Sequence, residues 1–308
     1  LEKEEHHMPR RIIDSHAHLG DIFHYNLNSS FRNNVKKGDY PDHFEVLEKS
    51  GFTTPLFTGD PNDLDHVIDG GQYRCWEFGL EQLTKELDES DMAGIVLLPC
   101  LPNTSFEEYL AASKIEPRII PFTAADMTLP INDMLDKLKK DIGHGARGLK
   151  LHPVLQCVRA TDERMLAAAK LFGEHDLPVV VHVGEGIYYH PDMIHNQVQA
   201  YGAMSDFCAF AKMLPGQPLI AAHCAAFAKD LMEGCGNLDY VFADTSFCHA
   251  AAAREAVNIM GTDRVLYGTD CPFVHEKYCI QVIDDAFAGE PDTKDKVFYR
   301  NIAHLIHL

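Results

Sequence analysis

The chain contains no Cys-x-x-Cys pair, no apolar run near the roughly 20 residues needed to span a bilayer, and no glycine-rich turn after its first strand-like segment. Basic residues are scarce: 27 Lys and Arg stand against 46 Asp and Glu, a formal net charge of −19. A nucleic-acid binder needs a basic footprint, so no nucleic-acid partner is expected. The missing apolar run argues against a membrane partner. Nine cysteines lie scattered between Cys75 and Cys279 without framework spacing, which fits reduced thiols and a cytoplasmic location. Only Gly20 follows His18, which argues against an open dinucleotide-binding sheet. There is no low-complexity tract and no internal repeat.

What is present is an ordinary globular composition, 46% hydrophobic and 24% charged, over 308 residues, enough to bury one large α/β core. Short apolar or β-branched runs at 11–16, 94–99, 118–124, 146–151, 178–183, 218–222, 239–244 and 264–269 alternate with amphipathic stretches. The latter include 81–90, 131–141, 162–175, 203–214 and 251–260. Eight strand–helix units predict a (β/α)8 TIM barrel of the α/β class. One domain is expected over 11–308, with residues 1–10, which include His6-His7-Met8, as a tail partly foreign to the native chain. The rhythm breaks once, at an aromatic-rich insert over 21–82 after the first strand. Leaving from the end where barrels carry their active sites, it is expected to form a lid or pocket wall.

The first run ends Asp14-Ser15-His16-Ala17-His18. In an extended strand alternate side chains share a face, so Asp14, His16 and His18 should project together. Two neutral imidazoles aimed at one point suit a divalent metal. Later strand-like runs also end in ionisable groups: Lys150 and His152 on one face, His182, His223, and Asp270. In a barrel those ends meet at one mouth, and histidines with an aspartate there can hold zinc or a similar metal while leaving a position open for water. Cys224 and Cys271, next to two of these residues, read as small buried neighbours.

These motifs, at 14–20, 148–153, 181–186, 222–224 and 268–273, with a closing Asn-containing segment at 299–305, resemble the amidohydrolase superfamily. The similarity is to the branch called amidohydrolase family 2, which includes aminocarboxymuconate semialdehyde decarboxylase and related hydratases and hydrolases. The resemblance runs from about residue 11 to 307 in order and spacing, but the insert matches nothing nameable. It implies that His16, His18, His182 and Asp270 bind one divalent ion, zinc first and manganese second, and that His223 acts as acid or base or binds a second metal. Lys150 would bridge two ions only as a carbamate, since a cationic lysine cannot ligate. The reading adopted is one metal, with a free Lys150 or His152 binding an acidic group of the substrate.

The activity expected is hydrolysis of a small lactone, amide or ester by metal-activated water, with Asp270 and His223 catalytic. The alternative is a non-oxidative decarboxylase or hydratase acting on an unsaturated or aromatic acid. That chemistry asks for a cationic grip, for which Arg74, Arg32, Arg147 and Arg159 are candidates. Arg74 and Trp76 are the insert residues expected in the substrate pocket. A homodimer is the expected assembly.

Overall fold

The computed structural model describes residues 11–24, 38, 41–191 and 197–308. The expected tail 1–10, Arg32 and part of the insert lie outside the described residues. Buried β-branched runs such as Val179-Val180-Val181 form parallel strands covered on both faces. In chain order the strands are β1 (Ile13–Ala17), β2 (Gly94–Leu97), β3 (Ile119–Pro121), β4 (Thr123–Ala124), β5 (Leu149–Leu151), β6 (Val179–His182), β7 (Leu219–Ala222), β8 (Val241–Asp244) and β9 (Val265–Leu266). All pairings are parallel, in the orders β1-β2-β3 and β4 through β9. β3 and β4 are two halves of one barrel strand, interrupted at Phe122, whose N–H donates to Leu97 O. Eight strand positions result, as the sequence rhythm predicts.

The seam between β9 and β1 has no continuous ladder. Backbone bonds span it instead: Ser15 N–H to Tyr267 O at 2.9 Å, Asp270 N–H to His16 O at 2.7 Å, and His18 N–H to Cys271 O at 2.7 Å. Inside the ring, Ile13, Val96, Phe122, Val180, Ile220 and Leu266 form a closed apolar cluster with Ile302, Leu305 and Ile306 of the C-terminal segment. Alternation then carries Val180 on to His182 on the same inward face, directly above that apolar plug.

The helices are α1 (His43–Lys49), α2 (Asp63–Glu77), α3 (Leu80–Glu89), α4 (Phe106–Ser113), α5 (Ile131–Gly143), α6 (Pro153–Gln156), α7 (Glu163–Gly173), α8 (Met204–Lys212), α9 (Ala228–Cys235), α10 (Ala250–Met260), α11 (Glu276–Ala286), α12 (Pro291–Asp295) and α13 (Asn301–Leu305). Local sequence sets several starts: Ser105 and Glu108 form a capping box on α4, and the Asp162 carboxylate accepts from Arg164 N on α7. Helices α1 and α2 belong to the insert and were not legible as periodic segments.

One sequence expectation fails in β1. Ile13 points into the barrel, so strict alternation would send His16 outward. The pairing of β1 with β2 shifts register between Asp14 and Ala17, and this irregularity re-aims His16 to the interior. Asp14 therefore does not join His16 and His18. Its carboxylate accepts from Thr269 N, Thr269 Oγ1 and His16 N on the seam.

Candidate metal centre

The centre is assembled from strand ends. His16 Nδ1 lies 2.9 Å from Asp244 Oδ2, at the end of β8. Burial alone would raise the Asp244 carboxyl, but His16 and His223 beside it hold it well below the usual range. An ionised Asp244 only accepts, so Nδ1 carries the proton and Nε2 of His16 keeps its lone pair. His18 Nδ1 faces the Leu98 carbonyl at 2.7 Å, which fixes the same tautomer. Glycine at 268 permits this packing, since a Cβ there would stand 2.9 Å from Asp244 Cβ and 3.2 Å from His16 Cβ.

Two further imidazoles follow the same logic. Ser246 Oγ donates to Asp244, so it accepts from His223 Nδ1 at 2.7 Å and leaves Nε2 of His223 unprotonated. Gly184 O accepts from His182 Nε2 at 3.0 Å, leaving Nδ1, which stands 3.2 Å from His223 Nε2. Asp270 Oδ1 is buried with no hydrogen-bond partner, 3.1 Å from His18 Nε2 and 3.4 Å from His16 Nε2. Lone pairs facing an unpartnered carboxylate oxygen repel unless a proton or a metal cation sits among them. A space of about 20 Å³ lies between His16, His18, His182, His223 and Asp270, enough for one ion. The donor set therefore fits a divalent metal.

The sequence-predicted ligands are not equivalent in this geometry. His16, His18 and Asp270 offer ligand atoms that all lie within 4.8 Å of one another. His182 stands beside this trio, its ring stacked on His152 with centroids 4.1 Å apart, and Tyr188 Oη is 3.0 Å from its Nε2. Asp270 and His223 both occupy left-handed backbone, φ 65° and 66°, a conformation costly for non-glycine residues and concentrated at functional sites.

The field of the site shows in its titrations. Burial and the neighbouring Lys150 push His16 down to about 4. Burial opposes the charge of His18, but with no cation between them Cys100 and Asp270 raise its pKa to about 9, and the Nε2 proton this implies would give way to a bound metal. Lys150 Nζ lies 3.3 Å from His16 Nε2, and burial lowers its pKa. Burial and His182 push His152 well below its usual value, and its Nδ1 accepts from Leu155 N at the start of α6. His152 thus supports the floor from the side.

Above the floor opens a cavity of about 700 Å³, with His182, His223 and Asp270 at its base. Insert residues Phe44, Leu56, Phe57, Leu64 and Val67 are among its lining, with Phe247 next to Phe44, ring centroids 6.5 Å apart. Arg74 and Trp76 are not in that lining. Arg74 is spent on Asp42 at 2.9 Å, Glu48 at 3.1 Å and the Phe273 carbonyl at 2.9 Å. Trp76 is 53% exposed and packs edge-on against Tyr73. The other described candidates do not supply the arginine grip either: Arg147 bonds Ile306 O and Arg159 pairs with Asp206, while Arg32 lies outside the described residues. Sequence reasoning missed Asp244, Ser246 and Tyr188. Asp244 carried the same signal as the others, an apolar strand-like run ending in an ionisable side chain.

Fold and site together define a (β/α)8 barrel with a candidate His-His-Asp metal centre at the mouth formed by its strand ends. The family model for amidohydrolases matches residues 13–308, and the chain belongs to that family. No curated protein matches the chain. Among solved structures it is similar to an uncharacterised TIM-barrel protein from Bordetella bronchiseptica, at 16% identity and TM-score 0.67 over 97% of this chain and 99% of that one. It is also similar to a probable 2-pyrone-4,6-dicarboxylic acid hydrolase from Acinetobacter baumannii with citric acid bound, at 13% identity and TM-score 0.60 over 98% and 100% of the two chains. A dihydroxybenzoic acid decarboxylase from Polaromonas, with bound manganese and 2-nitroresorcinol, aligns at 13% identity and TM-score 0.61 over 86% and 93%. At such identities the likeness establishes the TIM-barrel fold.

Proposed function

We propose that the chain is a metal-dependent hydrolase acting on a carbonyl compound such as a lactone, amide or ester. The carrying observation is the pairing of Asp270 with His223 at the cavity floor: His223 Nε2 lies 3.9 Å from Asp270 Oδ2 and is held from behind by Ser246. His16, His18, His182 and Asp270 are the ligands, with zinc or manganese as the ion. When bound, the metal supplies a water acidified toward a pKa of about 7. Asp270 receives the proton as water adds to the carbonyl and returns it to the leaving group. His223, unprotonated at Nε2, serves as a base that shares that proton with Asp270, and while it carries it the imidazolium holds the developing oxyanion. Lys150 stays unmodified beside His16 and takes an acidic group of the substrate. Nine free cysteines fit a reducing compartment, and we place the enzyme in the cytoplasm; no helix among the described residues is long and apolar enough to cross a membrane.

One observation favours the second reading, non-oxidative decarboxylation: Lys150 is a buried cation in contact with the centre, and the Polaromonas relative is a decarboxylase. Against it, the described lining of the large cavity adds no lysine or arginine to Lys150, so no second cation grips a carboxylated substrate there. The deciding experiment is metal analysis followed by turnover in 18O-water over panels of lactones, esters, amides and aromatic acids. One metal per chain with 18O entering the product is expected. CO2 release without 18O incorporation would establish the second reading, and a chain that takes up no metal would overturn both.

A further inference from the structure

The cavity above the centre is much larger than a carbonyl group and one small ring require; about 700 Å³ is the scale of sites that enclose drug-sized ligands. Six phenylalanines line it. Phe23, Phe44 and Phe273 touch in sequence, with ring centroids 6.1 Å (Phe23–Phe273) and 5.7 Å (Phe44–Phe273) apart, and Phe247 continues the surface 6.5 Å from Phe44 and 5.7 Å from His223. This apolar wall therefore runs unbroken from the reacting groups outward. At its margins Phe57, ahead of α2, and Phe227, ahead of α9, are 51% and 56% exposed. Both rings belong to the cavity lining, so they extend its apolar surface toward solvent, where a ligand would cover them. Histidines aside, the charged side chains among the described lining are Asp270 at the floor and Glu185 at the mouth, both acidic.

We infer that the substrate carries an extended apolar body, aryl or alkyl, reaching from the reacting group to Phe57 and Phe227, and no second carboxylate. This rests on the preceding reading for the position of the reacting group. The apolar body gains by leaving water for the phenylalanine wall. A distal carboxylate would lose its hydration against apolar rings and face Glu185, with no cation in the described lining to replace the water. The described lining thus selects against a distal second carboxylate.

The test is calorimetric binding of phenylacetate, 4-phenylbutanoate and 6-phenylhexanoate to the full chain, each compared with a dicarboxylate of equal chain length. Affinity should rise by about three- to fourfold per buried methylene, and each dicarboxylate should bind at least tenfold more weakly than its phenyl counterpart. Leu64→Arg, which puts a cation on the half-buried wall, should narrow that gap. The double variant Phe57→Ala with Phe227→Ala should weaken 6-phenylhexanoate and leave phenylacetate unchanged. Equal affinity along the series, or tighter dicarboxylate binding by the unaltered chain, would overturn the inference. Repeating the series on metal-stripped protein separates the two readings. A chain-length slope in protein that never takes up metal supports the apolar pocket while the hydrolase reading falls. A flat slope in protein that hydrolyses esters sinks the pocket alone.

Discussion

On the cavity floor, His16, His18, His182 and His223 each have one nitrogen fixed by a carboxylate, carbonyl or hydroxyl, so that the other is aimed. On the wall, Phe57, Leu64 and Phe247 present carbon only, and the insert that supplies much of it is anchored by ion pairs outside the cavity. The floor is therefore sensitive to single atoms, because moving one acceptor changes which nitrogen carries a proton. The wall is sensitive to area, and loses affinity in proportion to the carbon removed. In the proposed reading the barrel sets position and chemistry, and the insert with the loops around the cavity sets the choice of substrate.

The largest effect should come from the floor. In the proposed reaction Asp270→Ala removes both a metal ligand and the proton acceptor, and kcat should fall by about 10²- to 10⁴-fold, with metal content per chain falling in parallel. Phe57→Ala should instead raise KM and leave kcat within about twofold, since it removes only binding area common to ground and transition states. Steady-state kinetics with elemental analysis distinguishes these; a wall variant that lost kcat as severely as Asp270→Ala would end the division of labour. Next comes Asp244→Asn, one step behind the floor. It unfastens His16 Nδ1 and the Ser246–His223 arm together, so metal affinity or activity should drop about 10- to 100-fold. Unchanged metal affinity and unchanged turnover would show that His16 needs no orientation.

The floor was largely legible because barrel strands write it plainly: apolar runs ending in His182, His223 and Asp270, at positions the parallel topology must gather. Asp244 obeys the same rule, at the end of the 239–244 run, but is absent from the ligand set that the resemblance implies. The register shift in β1 was invisible, since nothing in Ile13-Asp14-Ser15-His16 distinguishes a regular strand from a bulged one. The wall was legible only as a place. Its aromatics have no periodicity, and whether Arg74 faces a substrate or Glu48 depends on tertiary packing that composition does not encode.

That position of Arg74 yields the next prediction. Its guanidinium joins Asp42 before α1, Glu48 within α1 and the carbonyl of Phe273 on the barrel, tying insert to scaffold. Glu48 is buried at 2% exposure, so Arg74→Met would leave its charge with the backbone N–H of His275 but without its cation. Removing one partner of such a pair costs about 3 kcal/mol or more, to be read as a lower midpoint in urea unfolding. Because Arg74 stands outside the cavity, substrates should show a raised KM from a loosened wall, with kcat nearly retained. A selective loss of affinity for acidic substrates alone would return Arg74 to the role of a substrate cation.

The smallest effect belongs to acid. Asp63, at the start of α2, accepts from the backbone N–H groups of Thr58, Gly59 and Asp60 and from Thr58 Oγ1, which pins the turn beside Phe57. Burial works against its charge, but these hydrogen bonds prevail and hold the carboxyl below its usual 3.8. A folded-state value below the unfolded one means that the stabilisation is complete above about pH 4 and is lost as pH falls through the lower, folded value. The turn should therefore loosen at acid pH while the barrel beneath it, held by strand pairing and apolar packing, remains folded. Protease cleavage near residues 58–60 as a function of pH measures this directly. The unaltered chain should become more susceptible below about pH 4, and Asp63→Asn, which has no charge to lose, should show a flat profile at an intermediate rate. If cleavage there and global unfolding rise together in both proteins, the insert wall and the barrel are one cooperative unit, and their separation is one of chemistry alone.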